Sequence, residues 1–158
     1  MSRRQLNPSV SFHQLVFAMR ATRNSAQTVN NGATGIIVFD DIDYVLPSTG
    51  AYDDGTGRYT CPAPGYYYIG SHIQLADSNV SGVLILAVYK NASEDSRLCF
   101  LGKMGTNTEN SALGGSCVIK CAAGDVLDVR LTNTSGAAQS TTTTTAHNWL
   151  SIYRLSGL

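Results

Sequence analysis

Tyr52-Asp-Asp-Gly-Thr-Gly-Arg-Tyr-Thr-Cys-Pro-Ala-Pro-Gly65-Tyr-Tyr-Tyr68 is the stretch on which the fold turns. Asp53-Asp54-Gly55-Thr56-Gly57 supplies residues that tolerate positive φ and so closes a tight turn. Arg58 to Cys61 can then run as a short strand. Pro62 and Pro64 have no backbone N–H to give to a ladder, so they end that strand in a bend. Gly65 releases the chain into an aromatic strand. A turn, a short strand, a proline bend and a long strand in this order are the parts of an antiparallel β-sandwich.

Outward from that stretch the same grammar repeats. β-branched and aromatic residues alternate between turn clusters at Asn30-Asn31-Gly32, Ser48-Thr49-Gly50 and Asp77-Ser78-Asn79, and no helical period stands out. Strands are expected over Ser11–Arg20, Gly35–Phe39, Arg58–Cys61, Tyr66–Ala76, Val83–Lys90, Arg97–Met104, Ala112–Cys121, Val126–Thr132 and Asn148–Leu155. Many short strands with turns between them predict an all-β chain, a sandwich of two antiparallel sheets with jelly-roll connections. With 158 residues the chain makes one domain, expected over 11–158 behind an N-terminal arm at 1–10.

Eleven basic and eleven acidic side chains give a formal net charge of zero, with no block of either sign, so charge nominates neither nucleic acid nor an anionic membrane as partner. The longest apolar run, Val83 to Tyr89, is far short of the roughly 20 residues that span a bilayer, so no membrane insertion is expected. Only 14% of residues are charged, and Ser, Thr, Asn and Gly fill much of the remainder, a composition suited to extracellular or virion β-proteins. Arg3 and Arg4 are not followed by the apolar stretch of a secretory signal. That leaves a mature fragment or a protein assembled without ordinary secretion.

Tyr52, Tyr59, Gly65 and Tyr67 fall at the spacing aromatic, six residues, aromatic, five residues, Gly-x-Tyr. In this the chain resembles the globular head domain of complement C1q, of the C1q/tumour-necrosis-factor-like superfamily. Phe17-Ala18-Met19-Arg20 is similar to the opening strand of that family, Ile37-Val38-Phe39-Asp40 to the next segment, Gly124-Asp125-Val126 to its glycine-aspartate turn, and Trp149-Leu150-Ser151-Ile152-Tyr153 to its closing strand. The chain departs from the pattern at Phe39, two residues further from Tyr52 than usual, and at Ile69 and Ser71, where aromatics are usual. The resemblance implies a jelly roll that assembles as a three-fold trimer.

Two features bear on that trimer. Val83-Leu-Ile-Leu-Ala-Val-Tyr89 is apolar on both faces, whereas an antiparallel strand open to water on one side alternates. Either a loop caps the second face or a neighbouring subunit does, and the subunit is preferred because bare Leu and Val would aggregate. Alternation sends Tyr67 to one face and Tyr66 and Tyr68 to the other. The resemblance puts the Tyr of Gly-x-Tyr near the subunit contact; a core tyrosine with its hydroxyl on backbone is the other reading. The expected interface is Tyr67, Ile69, Leu84, Leu86, Val88 and Trp149. A second expected surface is the polar segment Asn133 to Thr145, where Thr141, Thr142, Thr143, Thr144 and Thr145 form a candidate contact loop.

Catalytic groups do not assemble from the motifs. His13, His72 and His147 are scattered, Gly114-Gly115-Ser116-Cys117-Val118 lacks the last glycine of a nucleophile elbow, and Gly55-Thr56-Gly57 lacks the rest of a dinucleotide loop. No enzyme activity and no cofactor are expected. Asp40, Asp41, Asp43, Asp53 and Asp54 would suit calcium by chemistry, which some members of the resembling family bind, but their spacing does not follow a calcium loop. Cys117 and Cys121 stand roughly 13 Å apart along one strand and cannot bridge each other. Cys61, Cys99, Cys117 and Cys121 are expected to be small buried hydrophobes.

These features predict a non-enzymatic trimeric virion structural protein of a bacteriophage, a capsid decoration or a fibre knob. Its expected partners are other virion proteins or a host-surface receptor or glycan. The alternative is a secreted, extracellular recognition or adhesion module of the same fold. The virion is preferred because a lone domain from Met1 shows no signal, collagen-like repeat or membrane stalk.

Overall fold

The computed structural model describes residues 17–47, 50–76, 81–101 and 110–156. The expected arm at 1–10, the start of the first expected strand at 11–16, most of the Ser48-Thr49-Gly50 cluster, the Asp77-Ser78-Asn79 turn and residues 102–104 lie outside them. Among the described residues the strands are β1 (Ala18–Thr22), β2 (Thr28–Val29), β3 (Ala33–Ile36), β4 (Asp41–Leu46), β5 (Tyr52–Asp53), β6 (Arg58–Thr60), β7 (Gly65–Ala76), β8 (Val83–Lys90), β9 (Ser93–Leu101), β10 (Ser111–Cys121), β11 (Val126–Thr134), β12 (Gln139–Thr141) and β13 (Trp149–Ser156). One turn of 3-10 helix, Thr145–His147, leads into β13. No described helix is long and apolar enough to cross a membrane.

All pairing is antiparallel, in two sheets. β7 is the centre of a seven-stranded sheet: β10 lies along one edge, β13 and β12 along the other, and the order runs on from β13 to β1 and β4 and from β12 to β2. In the six-stranded sheet β11 pairs β6 and β3 on one side and β8 on the other, with β5 beyond β6 and β9 beyond β8. β9 and β10 bring the two sheets together at one edge. A Cβ added at Gly115 would lie 2.5 Å from the Leu98 carbonyl oxygen, so only glycine fits there.

Between the sheets, Met19, Tyr67, Ile69, Ile73, Leu113 and Leu150 meet Tyr59, Leu84, Leu86, Val88, Leu127 and Leu131, all at 1% exposure or less. Burying each such side chain contributes roughly 1.5–3 kcal/mol. The Tyr52–Tyr68 stretch folds as its residues demand. Asp53 Oδ1 accepts from the amides of Gly55 (2.9 Å) and Thr56 (3.2 Å), and Gly57 closes the turn at φ 71°. Tyr59 and Tyr67 then meet edge to face, 6.1 Å between ring centres. Tyr52 Oη donates to the Phe39 carbonyl (3.0 Å) and accepts from its amide (3.2 Å). These bonds pin the chain at Phe39 without a ladder, so the expected Gly35–Phe39 strand gives way to β3 at Ala33–Ile36.

Three further segments differ from expectation. β4 is a six-residue strand in a stretch where no strand was expected. The β8–β9 hairpin turns at Asn91 and Ala92, both at positive φ (51° and 67°), so β9 starts at Ser93 and not Arg97. The third is the doubly apolar β8. Leu84, Leu86 and Val88 point into the single chain's own core at 0% exposure, leaving no surface for a neighbour. On the other face, Arg130 stands across from Ala87 and lays its guanidinium 4.2 Å from the Tyr89 ring centre. A long cationic side chain therefore lies over that face where a subunit had been expected.

Candidate assembly face and loop tip

Alternation along β7 separates three consecutive tyrosines. Tyr67 turns inward, fully buried, and its hydroxyl donates to the Ala63 carbonyl at 2.7 Å. Ile69 follows it into the core at 0% exposure. Tyr67, Ile69, Leu84, Leu86 and Val88 are thus core residues and not the expected interface: each spends its whole apolar surface inside one chain. Trp149 alone of that set faces outward, half-buried on β13.

What the outer face of the seven-stranded sheet presents follows from register. Val118 of β10 pairs Tyr68 of β7, Tyr68 pairs Tyr153 of β13, Tyr153 pairs Ala18 of β1, and Ala18 pairs Leu46 of β4. Directly paired residues share a face, so this is one apolar row across five strands. Val118 is 53% and Leu46 49% exposed, and Tyr66, on the same face of β7, is 41% exposed. Tyr68 and Tyr153 rings stand 6.2 Å apart. The hydroxyls of Tyr153 and Tyr44 meet at 2.6 Å, a bond that pushes the Tyr44 phenol up to about 12. Further along the face, His72 stacks on Trp149 at 6.2 Å and Arg20 lies 5.7 Å from the same indole. Aromatics that touch one another while offering their outer surface to water make a broad, stiff apolar patch.

At one end of this face Arg20, Thr22, Asp41, Asp43, Thr145 and Ala146 line a shallow cleft of about 230 Å³. Arg20 Nε holds Asp43 at 2.8 Å across it. Asp40 sits outside, accepting from Ser25 Oγ at 3.0 Å and Arg23 Nη1 at 3.5 Å, while Asp53 caps its own turn. Among the described residues no three His, Cys, Asp or Glu side chains gather to hold a metal ion.

The expected contact loop is divided between a strand, a half-buried residue and an exposed tip. Thr141 is a buried strand residue, 2% exposed: its amide donates to Gln27 O (3.0 Å) and its hydroxyl accepts from the Gln27 amide (3.0 Å). Asn148, at 0% exposure, donates through Nδ2 to the carbonyls of Thr142 (2.9 Å) and Thr144 (3.1 Å), and its Oδ1 accepts from the Gln74 amide (3.0 Å). Asn133, also at 0%, donates to Val29 O and Ala137 O. Two buried amides thus fasten a threonine-rich segment that contributes little apolar area. Thr141 is withdrawn from the candidate contact, Thr142 is half-buried, and Thr143, Thr144 and Thr145 form the exposed tip beside the cleft.

A family model for the C1q domain matches residues 17–148. Among solved structures the chain is similar to the globular domain of zebrafish complement 1qA protein, at 17% identity and TM-score 0.62 over 90% of this chain and 99% of that one. It is similar to Eiger TNF from S. frugiperda at 17% identity and TM-score 0.64, covering 92% and 96% of the two chains. Murine APRIL at pH 8.5 gives 10% identity and TM-score 0.65, covering 89% and 99%. No curated protein sequence matches the chain.

Proposed function

The chain belongs to the C1q domain family, and from that membership we propose that it acts as a homotrimeric binding module whose subunits meet through the outer face of the seven-stranded sheet. Domains of this family are generally non-enzymatic binding modules. The observation that supports the choice of face is the Val118–Tyr68–Tyr153–Ala18–Leu46 row: a contiguous aromatic and aliphatic surface with large residues 49% and 53% exposed at its two ends. A second copy is the occupant that leaves no such patch in water, and three copies around one axis cover three patches at once. Displayed three-fold, the Thr143–Thr145 tips and the neighbouring cleft can act together. Weak single contacts then gain effective concentration without new chemistry.

For the setting we propose a bacteriophage particle, with the module as a capsid decoration or fibre knob that contacts other virion proteins or a host receptor or glycan. The low charge content of 14% and the hydroxyl-rich exposed tip support a surface built for such contacts. Light scattering on the purified protein should report three times the 16.8 kDa chain mass; a stable monomer at micromolar concentration overturns the assembly. Mass spectrometry of purified particles should find the chain in stoichiometric multiples of three. Its absence from particles, with the trimer intact in the extracellular medium, would move it to the secreted setting.

A further inference from the structure

Cys61 and Cys121 are far apart in sequence and adjacent in space. Cys61 follows β6 of the six-stranded sheet and Cys121 ends β10 of the seven-stranded one. After Cys121 the chain turns through Ala122–Asp125 and clamps Cys61 from both sides: the Cys61 amide donates to Asp125 O and the Gly124 amide to Cys61 O, each at 2.8 Å. Gly124 takes φ 87° to make this return. The two side chains are 0% and 1% exposed in the common core, and each is the largest influence on the other's ionisation.

We propose that Cys61 and Cys121 are a latent disulfide, and that a small oxidised thiol–disulfide couple such as glutathione joins them into an intrachain staple between the two sheets. Closing the pair to the roughly 2 Å S–S bond asks for side-chain movement within the core and no change of strand register. The pairing also sets the order of steps. Cys61 as neighbour holds the Cys121 thiol below its ordinary value, while Cys121 and burial push that of Cys61 up, so Cys121 ionises first.

In the first step the Cys121 thiolate attacks one sulfur of the oxidised couple, forming a mixed disulfide and releasing one small thiolate. Cys61 then loses its proton and attacks the Cys121 sulfur, expelling the second small thiol. Two protein thiols are oxidised, one disulfide of the couple is reduced to two thiols, and electrons balance. The sulfurs themselves are buried, so the couple reaches them during folding or when the exposed Pro62 and Ala122–Gly124 segments at the end of the sandwich open. Cys117 takes no part: it lies four residues back along β10. In an oxidising compartment the staple forms, and in a reducing one the pair stays a piece of core.

The test uses the whole chain in a glutathione redox buffer, both in the folded state at about 25 °C and during refolding from denaturant, followed by alkylation and tryptic mapping without reductant. Cleavage after Arg58, Lys90, Arg97, Lys103, Lys120 and Arg130 places each cysteine in a separate peptide. The bridge then appears as a cross-linked pair of the 59–90 and 121–130 peptides, the free-thiol count falls from four to two, and the thermal midpoint rises by roughly 5 °C or more. A Cys99→Ser/Cys117→Ser double variant should form the same bridge, and Cys61→Ser should form none. Four thiols surviving both treatments, or a bridge that uses Cys99 or Cys117, overturns the proposal.

Discussion

The outer faces of the two sheets obey the same strand alternation and present opposite chemistry. Across the six-stranded sheet one row reads Arg58, Asp128, Tyr89 and Glu94, and the next reads Ile36, Arg130, Ala87 and Arg97. Asp128, only 3% exposed, accepts from Arg130 Nε at 2.6 Å and Nη2 at 3.0 Å, with Arg58 at 3.8 Å. Across the seven-stranded sheet the corresponding row is Val118, Tyr68, Tyr153, Ala18 and Leu46. One face is finished for water by guanidinium and carboxylate; the other carries an uninterrupted apolar row, with its Arg20–Asp43 ion pair set to one end. Inner faces decide that the chain folds, and the outward residues set the contrast between its two sides.

The comparison breaks most sharply under a charge swap. Tyr68→Lys keeps a single chain soluble, because the side chain faces outward and its ammonium can reach water. In a trimer the same charge is taken out of water, so the dissociation constant should rise at least about 100-fold, near 2.7 kcal/mol. Thr34→Lys on the opposite face should change it less than about threefold. Light scattering across a dilution series reads both. A trimer that survives Tyr68→Lys and falls apart with Thr34→Lys would exchange the roles of the two faces.

On the charged face the largest effect is on stability. Asp128→Ala removes the acceptor of two arginines. Arg130, with a side chain 17% exposed, is left without its carboxylate, whereas Arg58 at 47% can turn into water. Breaking a fully buried pair costs about 3–5 kcal/mol, and partial exposure brings the expectation to about 2 kcal/mol, a fall of roughly 4–8 °C in the thermal midpoint. The trimer mass should not change. A loss of assembly would mean that this face, too, is shared.

How far such features were legible depends on whether the signal was local. The Tyr52–Tyr68 stretch carried its own turn residues and strand breakers and could be read directly, while the Gly124-Asp125 turn was marked by the family resemblance. β4 escaped because Asp41 and Asp43 are turn formers by composition, and their place in a strand rests on pairing with β1. Asn91-Ala92 escaped because alanine at positive φ leaves no mark in a sequence. The candidate interface failed for a different reason. Alternation divides Tyr66, Tyr67 and Tyr68 between two faces but does not say which face is inside, and the covering of β8 by Arg130 is a contact between strands 43 residues apart in the Ala87–Arg130 pair. The whole threonine segment was expected as contact because its anchors, Asn133 and Asn148, are polar residues whose burial only the folded hydrogen-bond partners reveal.

A smaller, pH-dependent effect belongs to the turns at the end of the six-stranded sheet. Asn91 Nδ2 donates to Asp125 Oδ1 and the Ala122 amide to Oδ2, both at 2.8 Å, holding the Asp125 carboxyl below its ordinary value of 3.8. A depressed folded value means that the stabilisation is complete above about pH 4 and is lost as pH falls through the folded value. Asp125→Ala should lower stability by about 1 kcal/mol at neutral pH and by clearly less at about pH 2.5, read from urea midpoints. An equal loss at both pH values would assign the effect to packing.

The smallest effect on the fold is expected at the loop tip. Thr143, Thr144 and Thr145 are exposed, and the Thr144 side chain makes no capping bond to the 3-10 turn that follows. What fastens the tip is backbone: the Thr144 carbonyl accepts from the His147 amide at 3.0 Å and from Asn148 Nδ2 at 3.1 Å. Replacing Thr143, Thr144 and Thr145 together by alanine leaves these acceptors in place, so stability should stay within about 0.5 kcal/mol and the trimer mass should hold. Attachment to the particle or host surface should nonetheless fall about tenfold or more, because three tips lose their hydroxyls at once and multivalent contacts fail together. Asn148→Ala is the contrasting variant: it removes the buried amide, frees the tip backbone and should cost about 2 kcal/mol of stability. Full attachment by the triple alanine trimer would take the contact away from the tip and leave the adjoining cleft at Arg20, Asp41 and Asp43 as the surface to examine.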